Sequence, residues 1–176
     1  SVDNIKMAFD ITNEKLDNKL SSISNFTQST IYELRDTIWA MNNSEIGFED
    51  LISRIYNFIE NAKIATENIL FNIQIDEDVK HKKLTSIEGM NIYRTIQEAI
   101  NNAIKYSNAS QISIDINTFS DKTKIIVKDN GIGYDQNTVI KGNGLKNMQK
   151  RMKSIDGKIE IISNINLGTT IILEII

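Results

Sequence analysis

Downstream of residue 67 the hydrophobic period switches repeatedly between two and 3.6, and the order of those switches restricts the fold more than any other feature. Ile69, Phe71, Ile73 and Ile75 alternate with polar residues, the pattern of a half-buried strand. From about Met90 to Tyr106 the period becomes helical, with Ile92, Ile96, Ile100 and Ala103 inward and Gln97, Glu98, Asn101, Asn102 and Lys105 polar. Two strands follow, Gln111 to Phe119 and Lys122 to Lys128, joined by a turn at Ser120 and Asp121. A glycine-rich loop, a helix from about Leu145 to Ile155, and a last pair of strands, Lys158 to Ser163 and Thr169 to Ile176, complete the chain. Hairpins of neighbouring strands separated by single helices predict an α+β fold, a mixed sheet with helices on one face, and argue against a doubly wound parallel sheet.

Two helical patterns precede this part. Phe48 to Ala65 carries Leu51, Ile52, Ile55, Phe58, Ile59 and Ala62 on one side, with Ser44 or Gly47 at its start. From Asn13 to Met41, Leu16, Leu20, Ile23, Ile31, Leu34, Ile38 and Met41 recur at spacings of three and four. That pattern predicts one long helix with a seam for partner helices. The break at Asn42, Asn43 and Ser44 separates the two; with no proline in the chain, the boundary rests on those polar residues and Gly47.

Composition excludes more than it suggests. A net charge of −3 gives no reason to expect nucleic acid as a partner. No window approaches 18 uninterrupted apolar residues, so a soluble chain without direct membrane contact is expected. Zero cysteines remove disulfides and thiolate metal sites, and His81 is the single histidine, so a zinc centre would have to rest on carboxylates. His81 falls in the polar stretch DVKHKKLTS and is expected at the surface.

Chemistry concentrates in three places. Glu98, Asn102 and Lys105 are four and three apart, so on a helix a carboxylate, an amide oxygen and a cation share one face, with Tyr106 beside them. An exposed helix face is the plainer account of such a trio when nothing else is considered. Asp129 ends an apolar strand in VKDNGIGYD, where it can accept from an exocyclic amine while Gly131 and Gly133 let a flat ring approach; an Asx turn is the plainer account. Gly142, Gly144 and Gly168 form the remaining glycine groups, suited to phosphate binding through main-chain amides. Lys141, Lys146, Lys150, Arg151 and Lys153 make the region around the next helix basic, which is either a solvated face or a screen for phosphate.

Taken in order, IQEAINNAIKYSNAS, DNGIGYD, GNGLKNMQKRM and GTT resemble the N box and the glycine boxes of the GHKL ATPases, the superfamily of gyrase, Hsp-type chaperones, histidine kinases and MutL. The resemblance covers roughly residues 67–176 and implies a Bergerat-type ATP-binding α/β sandwich. GNGLKNMQKRMKSIDGKIEI is similar to sensor histidine kinases of the NarX and DesK type, and YELRDTIWAMNNSEI resembles the end of their second dimerisation helix. On that likeness, residues 1–44 are a partial dimerisation and histidine-phosphotransfer region, and residues 45–176 the catalytic ATP-binding domain.

The resemblance implies roles residue by residue. Glu98 matches the catalytic carboxylate that polarises the attacking group, and Asn102 the amide that coordinates Mg²⁺. Lys105 would touch phosphate and Tyr106 would lie against adenine or ribose. Asp129 would accept from the adenine amine, helped by Thr169, with Gly131 and Gly133 framing the base. Gly142, Gly144 and Leu145 would offer amides to the phosphates at a helix start. Only Gln136 to Lys141 separate two glycine boxes, so a short lid is expected.

ATP and Mg²⁺ are the implied cofactors. A homodimer through the dimerisation helices of the full-length protein and a response regulator receiver domain are the implied partners. The implied location is cytoplasmic, as the cytoplasmic portion of a membrane-anchored bacterial sensor. Two departures stand out: Tyr106 replaces a histidine common at the end of the N box, and no phosphoacceptor histidine followed by aspartate is present. The expected activity is therefore histidine phosphorylation by a chain that does not phosphorylate itself, with a non-kinase GHKL ATPase or pseudokinase as the alternative.

Overall fold

The computed structural model of the chain describes residues 45–66, 68–135 and 143–176, together with positions 16–20, 22–24, 27, 30, 31, 34 and 38. Contacts divide it into two units, Ser1–Asn42 and Asn43–Ile176. In the first unit every described residue is helical, and Leu16, Ile23, Ile31, Leu34 and Ile38 are exposed. Ser22 and Thr27 donate to the carbonyls four residues earlier, at 2.9 and 2.8 Å, which removes their hydroxyls from competition with the helix. Met41, the break at residues 42–44 and the lid at residues 136–142 lie outside the described residues.

The second unit opens with a short strand β1 (Glu45–Gly47) and helix α1 (Phe48–Ala65). Gly47 offers no capping side chain, and the Phe48 amide is instead met by the Lys82 carbonyl at 2.9 Å. Glu49 and Asp50 in the first turn and Lys63 in the last complement the helix dipole. Strand β2 (Leu70–Ile75) leads through a 3₁₀ turn, Glu77–His81, to β3 (Lys83–Thr85), which pairs antiparallel with β1. His81 is exposed on that turn.

Helix α2 (Ser86–Tyr106) starts four residues before Met90, where the periodicity alone begins it. Its start is set by a capping box: the Glu88 amide donates to Thr85 Oγ1 at 3.2 Å, and the Thr85 amide donates to Glu88 Oε2 at 2.6 Å. Periodicity alone misses this turn, because Ser86, Ile87 and Glu88 carry no apolar repeat. The short pair β1 and β3 is likewise invisible to it, since three-residue strands are too brief to alternate.

Strands β4 (Gln111–Phe119), β5 (Lys122–Asp129), β6 (Lys158–Asn164) and β7 (Gly168–Ile175), with helix α3 (Asn143–Lys153) between β5 and β6, complete the unit. The sheet order is β2–β4–β5–β7–β6, parallel between β2 and β4 and antiparallel elsewhere. In register, Ile112 faces Asp129, Ile114 faces Val127, and Ile125 faces Leu173. These side chains share one face and form one core with α1, α2 and α3 through Ile55, Ile59, Ile96, Ile100, Met148 and Met152. The opposite face carries Asp115, Lys124, Lys128 and Glu174. The helices described in this unit therefore cover one side of the sheet, as the α+β pattern predicts.

Thr85→Ala should lower the unfolding free energy in urea by about 0.5–2 kcal/mol through loss of the cap. Ile114→Ala, at a fully buried position, should cost about 2–5 kcal/mol. An alanine variant of Thr85 as stable as the wild type would show that α2 does not need its box.

Candidate functional site

The last three turns of α2 pass beside the C-terminal end of β5, and a cavity of about 570 Å³ opens between them. Glu98, Asn102 and Tyr106, spaced by four, line one side. Ala99 and Ala103 lie between them and the sheet, and their small size leaves the room. The Asn102 Nδ2 donates to Glu98 Oε1 at 3.3 Å, which leaves the Asn102 carbonyl oxygen available as an acceptor beside the second oxygen of the Glu98 carboxylate. Val127, Ile132, Leu145 and Ile171 supply apolar wall.

Across the cavity stands Asp129, the last residue of β5 and 5% exposed. Its Oδ1 accepts from the Gly131 amide at 2.9 Å, so the Asx turn is present, and the second carboxylate oxygen retains acceptor capacity. Gly131 itself is buried and does not line the cavity; a Cβ there would fall on the Ser107 carbonyl. That carbonyl accepts from the Ile132 amide at 2.7 Å. Next door, Asn130 Oδ1 accepts from the Ser110 and Gln111 amides at 3.0 and 2.9 Å, and Asn130 Nδ2 donates to Ser110 Oγ at 3.0 Å. The loop after β5 is thereby stapled to the loop after α2.

Gly133, Tyr134 and Thr169 complete the base of the cavity. Burial, and then the charge of Asp129, push the Tyr134 phenol above its ordinary pKa, so it keeps its proton. The Tyr134 amide donates to Ser163 Oγ at 2.9 Å, and Ser163 Oγ lies 2.9 Å from Thr169 Oγ1. At the other end, Asn143, Gly144 and Leu145 bring the first turn of α3 to the cavity, where unpaired amides and the dipole favour an anion. A Cβ on Gly144 would fall on the Glu98 carboxylate, so glycine lets α2 and α3 approach.

Of the residues singled out from sequence, Glu98, Asn102, Tyr106, Asp129, Gly133, Gly144, Leu145 and Thr169 line this cavity together. Lys105 is exposed and outside the lining, because the helix face turns from the sheet there. Gly131 acts from behind through its amide, and Gly142 lies outside the described residues. Sequence reading missed Asn143, Ser107, Tyr134 and Ser163. Tyr134 directly follows the glycine pair and was within reach of motif reading; an isolated serine such as Ser163 carries no pattern.

Residues 88–176 match the family model described as "Histidine kinase-, DNA gyrase B-, and HSP90-like ATPase". Among curated proteins, the signal transduction histidine-protein kinase/phosphatase DegS of Brevibacillus brevis is 25% identical over 158 residues, covering 89% of this chain and 40% of its own length. The sensor histidine kinase ComP of Bacillus subtilis is 24% identical, with 92% of this chain and 20% of its own length covered. The chain thus spans less than half the length of these relatives. Among solved structures, the histidine kinase AdeS of Acinetobacter baumannii shares the fold with a TM-score of 0.67 at 16% identity, over 94% of this chain and 85% of that one. Among the described residues, no helix is long and apolar enough to cross a membrane.

Gly131→Ala should destabilise the protein by about 1–3 kcal/mol, since the Cβ meets backbone that cannot yield. Gly144→Ala should cost less, because it meets the end of a flexible side chain. Equal urea midpoints for the two variants would contradict this ordering.

Proposed function

The chain belongs to the histidine kinase-, DNA gyrase B- and HSP90-like ATPase family, and from that premise we propose that it is the ATP-binding catalytic part of a two-component sensor histidine kinase. One observation carries the reading: Asn102 and Asp129, the residues expected to face the two ends of Mg·ATP, open onto a common cavity rimmed by the first turn of α3. In this reading Asp129 accepts from the exocyclic amine of adenine, with Thr169 assisting and Gly133 letting the ring approach. Tyr106 flanks the base or ribose, and the amides of Gly144 and Leu145 hold phosphate at the α3 terminus. Lys105, exposed one turn beyond Asn102, reaches the phosphates from solvent.

The donor set fits magnesium. Asn102 offers a neutral hard oxygen whose partner nitrogen is already engaged by Glu98, and the described residues contain no group of three or more His, Cys, Asp or Glu that would hold a metal without phosphate. A magnesium ion held there would neutralise charge on the phosphate oxygens. In this reading Glu98 polarises the acceptor imidazole, taking the proton of one ring nitrogen as the other attacks the γ-phosphorus and ADP leaves. Positioning and charge stabilisation, rather than covalent chemistry by the protein, lower the barrier.

His81, the single histidine, lies on the 3₁₀ turn between β2 and β3 and is followed by Lys82 rather than aspartate, so in this reading another segment supplies the acceptor imidazole. Residues 1–44 form part of the dimerisation region and residues 45–176 the catalytic domain; the exposed apolar positions of the first unit support a helical homodimer in the full-length protein. A response regulator receives the phosphate, in the cytoplasm.

Asn102→Ala should abolish Mg·ATP binding in calorimetry while the circular dichroism spectrum persists. Asp129→Ala should weaken ATP by about 1–3 kcal/mol, the cost of an unmet buried polar partner. Supplied with a separate dimerisation domain bearing the acceptor helix, the chain should place acid-labile phosphate on its histidine. Tight ATP binding without transfer to any such domain would instead indicate a pseudokinase.

A further inference from the structure

The sequence sets asparagine directly before glycine twice, at Asn130–Gly131 and at Asn143–Gly144. Such a pair carries its own chemistry. Asparagine is among the thermolabile residues, and a glycine after it has no Cβ to shield its backbone nitrogen. Once that nitrogen gives up its proton, it attacks the carbonyl carbon of the asparagine side chain. The new bond closes a succinimide ring, the bond from that carbon to Nδ2 breaks, and ammonia leaves with the proton. Water then opens the ring at either carbonyl to give aspartate or isoaspartate, so a neutral amide becomes a carboxylate. Water is the only co-reactant, and nothing is oxidised or reduced.

The fold treats the two pairs differently. At Asn130 both reacting groups are held. Its Oδ1 accepts from the Ser110 and Gln111 amides at 3.0 and 2.9 Å, and its Nδ2 donates to Ser110 Oγ at 3.0 Å, so the carboxamide is kept from swinging onto the next nitrogen. That nitrogen belongs to buried Gly131 and donates its proton to Asp129 Oδ1 at 2.9 Å. At Asn143 neither group is held. The residue is exposed at the first position of α3, and among the described residues its side chain makes no hydrogen bond. Gly144 follows in the first turn, where backbone amides have no acceptor within the helix. Helix ends also open at far less cost than helix interiors, which lets Asn143 leave helical angles for ring closure.

We propose that Asn143 is a site of spontaneous deamidation, and that the carboxylate formed there turns the phosphates of a nucleotide away from the start of α3. The second half rests on the nucleotide-binding reading above. Asn143 and Gly144 both line the cavity, and the Glu98 carboxylate already lies against Gly144. A further negative charge at Asn143 draws on the amides and dipole that phosphate would use, and repels the phosphate itself. For the helix alone the same charge is favourable, so binding falls while the fold holds. Phosphate seated on the Gly144 amide would in turn engage the attacking nitrogen, which makes bound Mg·ATP a protector of its own site. Protein kept without nucleotide therefore loses affinity as it ages.

The test follows nucleotide-free wild-type protein through a long incubation in mildly alkaline buffer, by tryptic digestion and fragment-ion mass spectrometry. The peptide Gly142–Lys146 should gain the mass of amide-to-acid conversion about tenfold faster than Asn130 converts, since Asn130 must first break its hydrogen bonds. In urea the two asparagines should convert alike. Saturating Mg·ATP should slow conversion at Asn143 and leave Asn130 as it was. In calorimetry, Asn143→Asp should weaken Mg·ATP about fivefold, the scale of one charge at a helix start, without lowering the urea midpoint. Asn143→Gln, whose longer side chain closes the ring far more slowly, should keep its own starting affinity through the incubation that lowers that of the wild type. Equal rates at Asn130 and Asn143 in the folded protein, or no conversion at Asn143, overturns the modification site. Conversion combined with wild-type Mg·ATP affinity in Asn143→Asp overturns its effect on phosphate. Wild-type protein that binds no Mg·ATP from the outset removes the nucleotide reading and that effect with it, while the modification site still stands or falls on the mass spectra.

Discussion

The burial of α2 against the inner face of β4 and β5 is the constraint on which the rest depends. Ile92, Ile96, Ile100 and Ala103 must leave water, and Ile112, Ile114, Ile125 and Val127 present the surface that receives them. Once that face is down, the adjoining stripe of α2 can only look along the sheet towards the end of β5. Glu98 and Asn102 occupy the stripe, and Asp129 occupies the strand end. Apolar packing thus brings a carboxylate and an amide oxygen to within one cavity of a second carboxylate, an arrangement that hydrogen bonding alone would be too weak to impose.

The same packing explains what the sequence displayed and what it hid. Alternation in β4 and β5 and the 3.6 period of α2 are direct records of the buried face, so the elements that build the core were legible. Glu98, Asn102 and Asp129 were legible because motif order added to helical spacing. The start of α2 was not, since a capping box is written in polar residues at Thr85 and Glu88 rather than in apolar ones. Ser163 was not, because its partners come from Tyr134 and Thr169, and only the register of β6 against β7 brings Ser163 and Thr169 opposite each other. Lys105 shows the converse: its three-residue spacing suggested a shared face with Asn102, but that step turns it to the side away from Ala103 and Tyr106, and the cavity passes it by.

Between α2 and α3, Gly144 lets the Glu98 carboxylate approach the first turn of the second helix. A negative charge there is stabilised by the same amides and dipole that favour phosphate. Bound nucleotide and Glu98 thus draw on one source of positive potential, and the basic residues Lys146, Lys150 and Lys153 along α3 add to it from the surface. Magnesium in the proposed site would relieve the crowding of negative charge, which is a physical reason for the amide of Asn102 to sit beside the carboxylate.

The staple formed by Asn130, Ser107 and Ile132 has a thermodynamic consequence. It joins the turn that carries Asp129 to the end of the helix that carries Asn102, so the two groups proposed to recognise nucleotide share one frame. A ligand entering that frame does not have to freeze either loop, and the ordering cost of association falls on its own torsions.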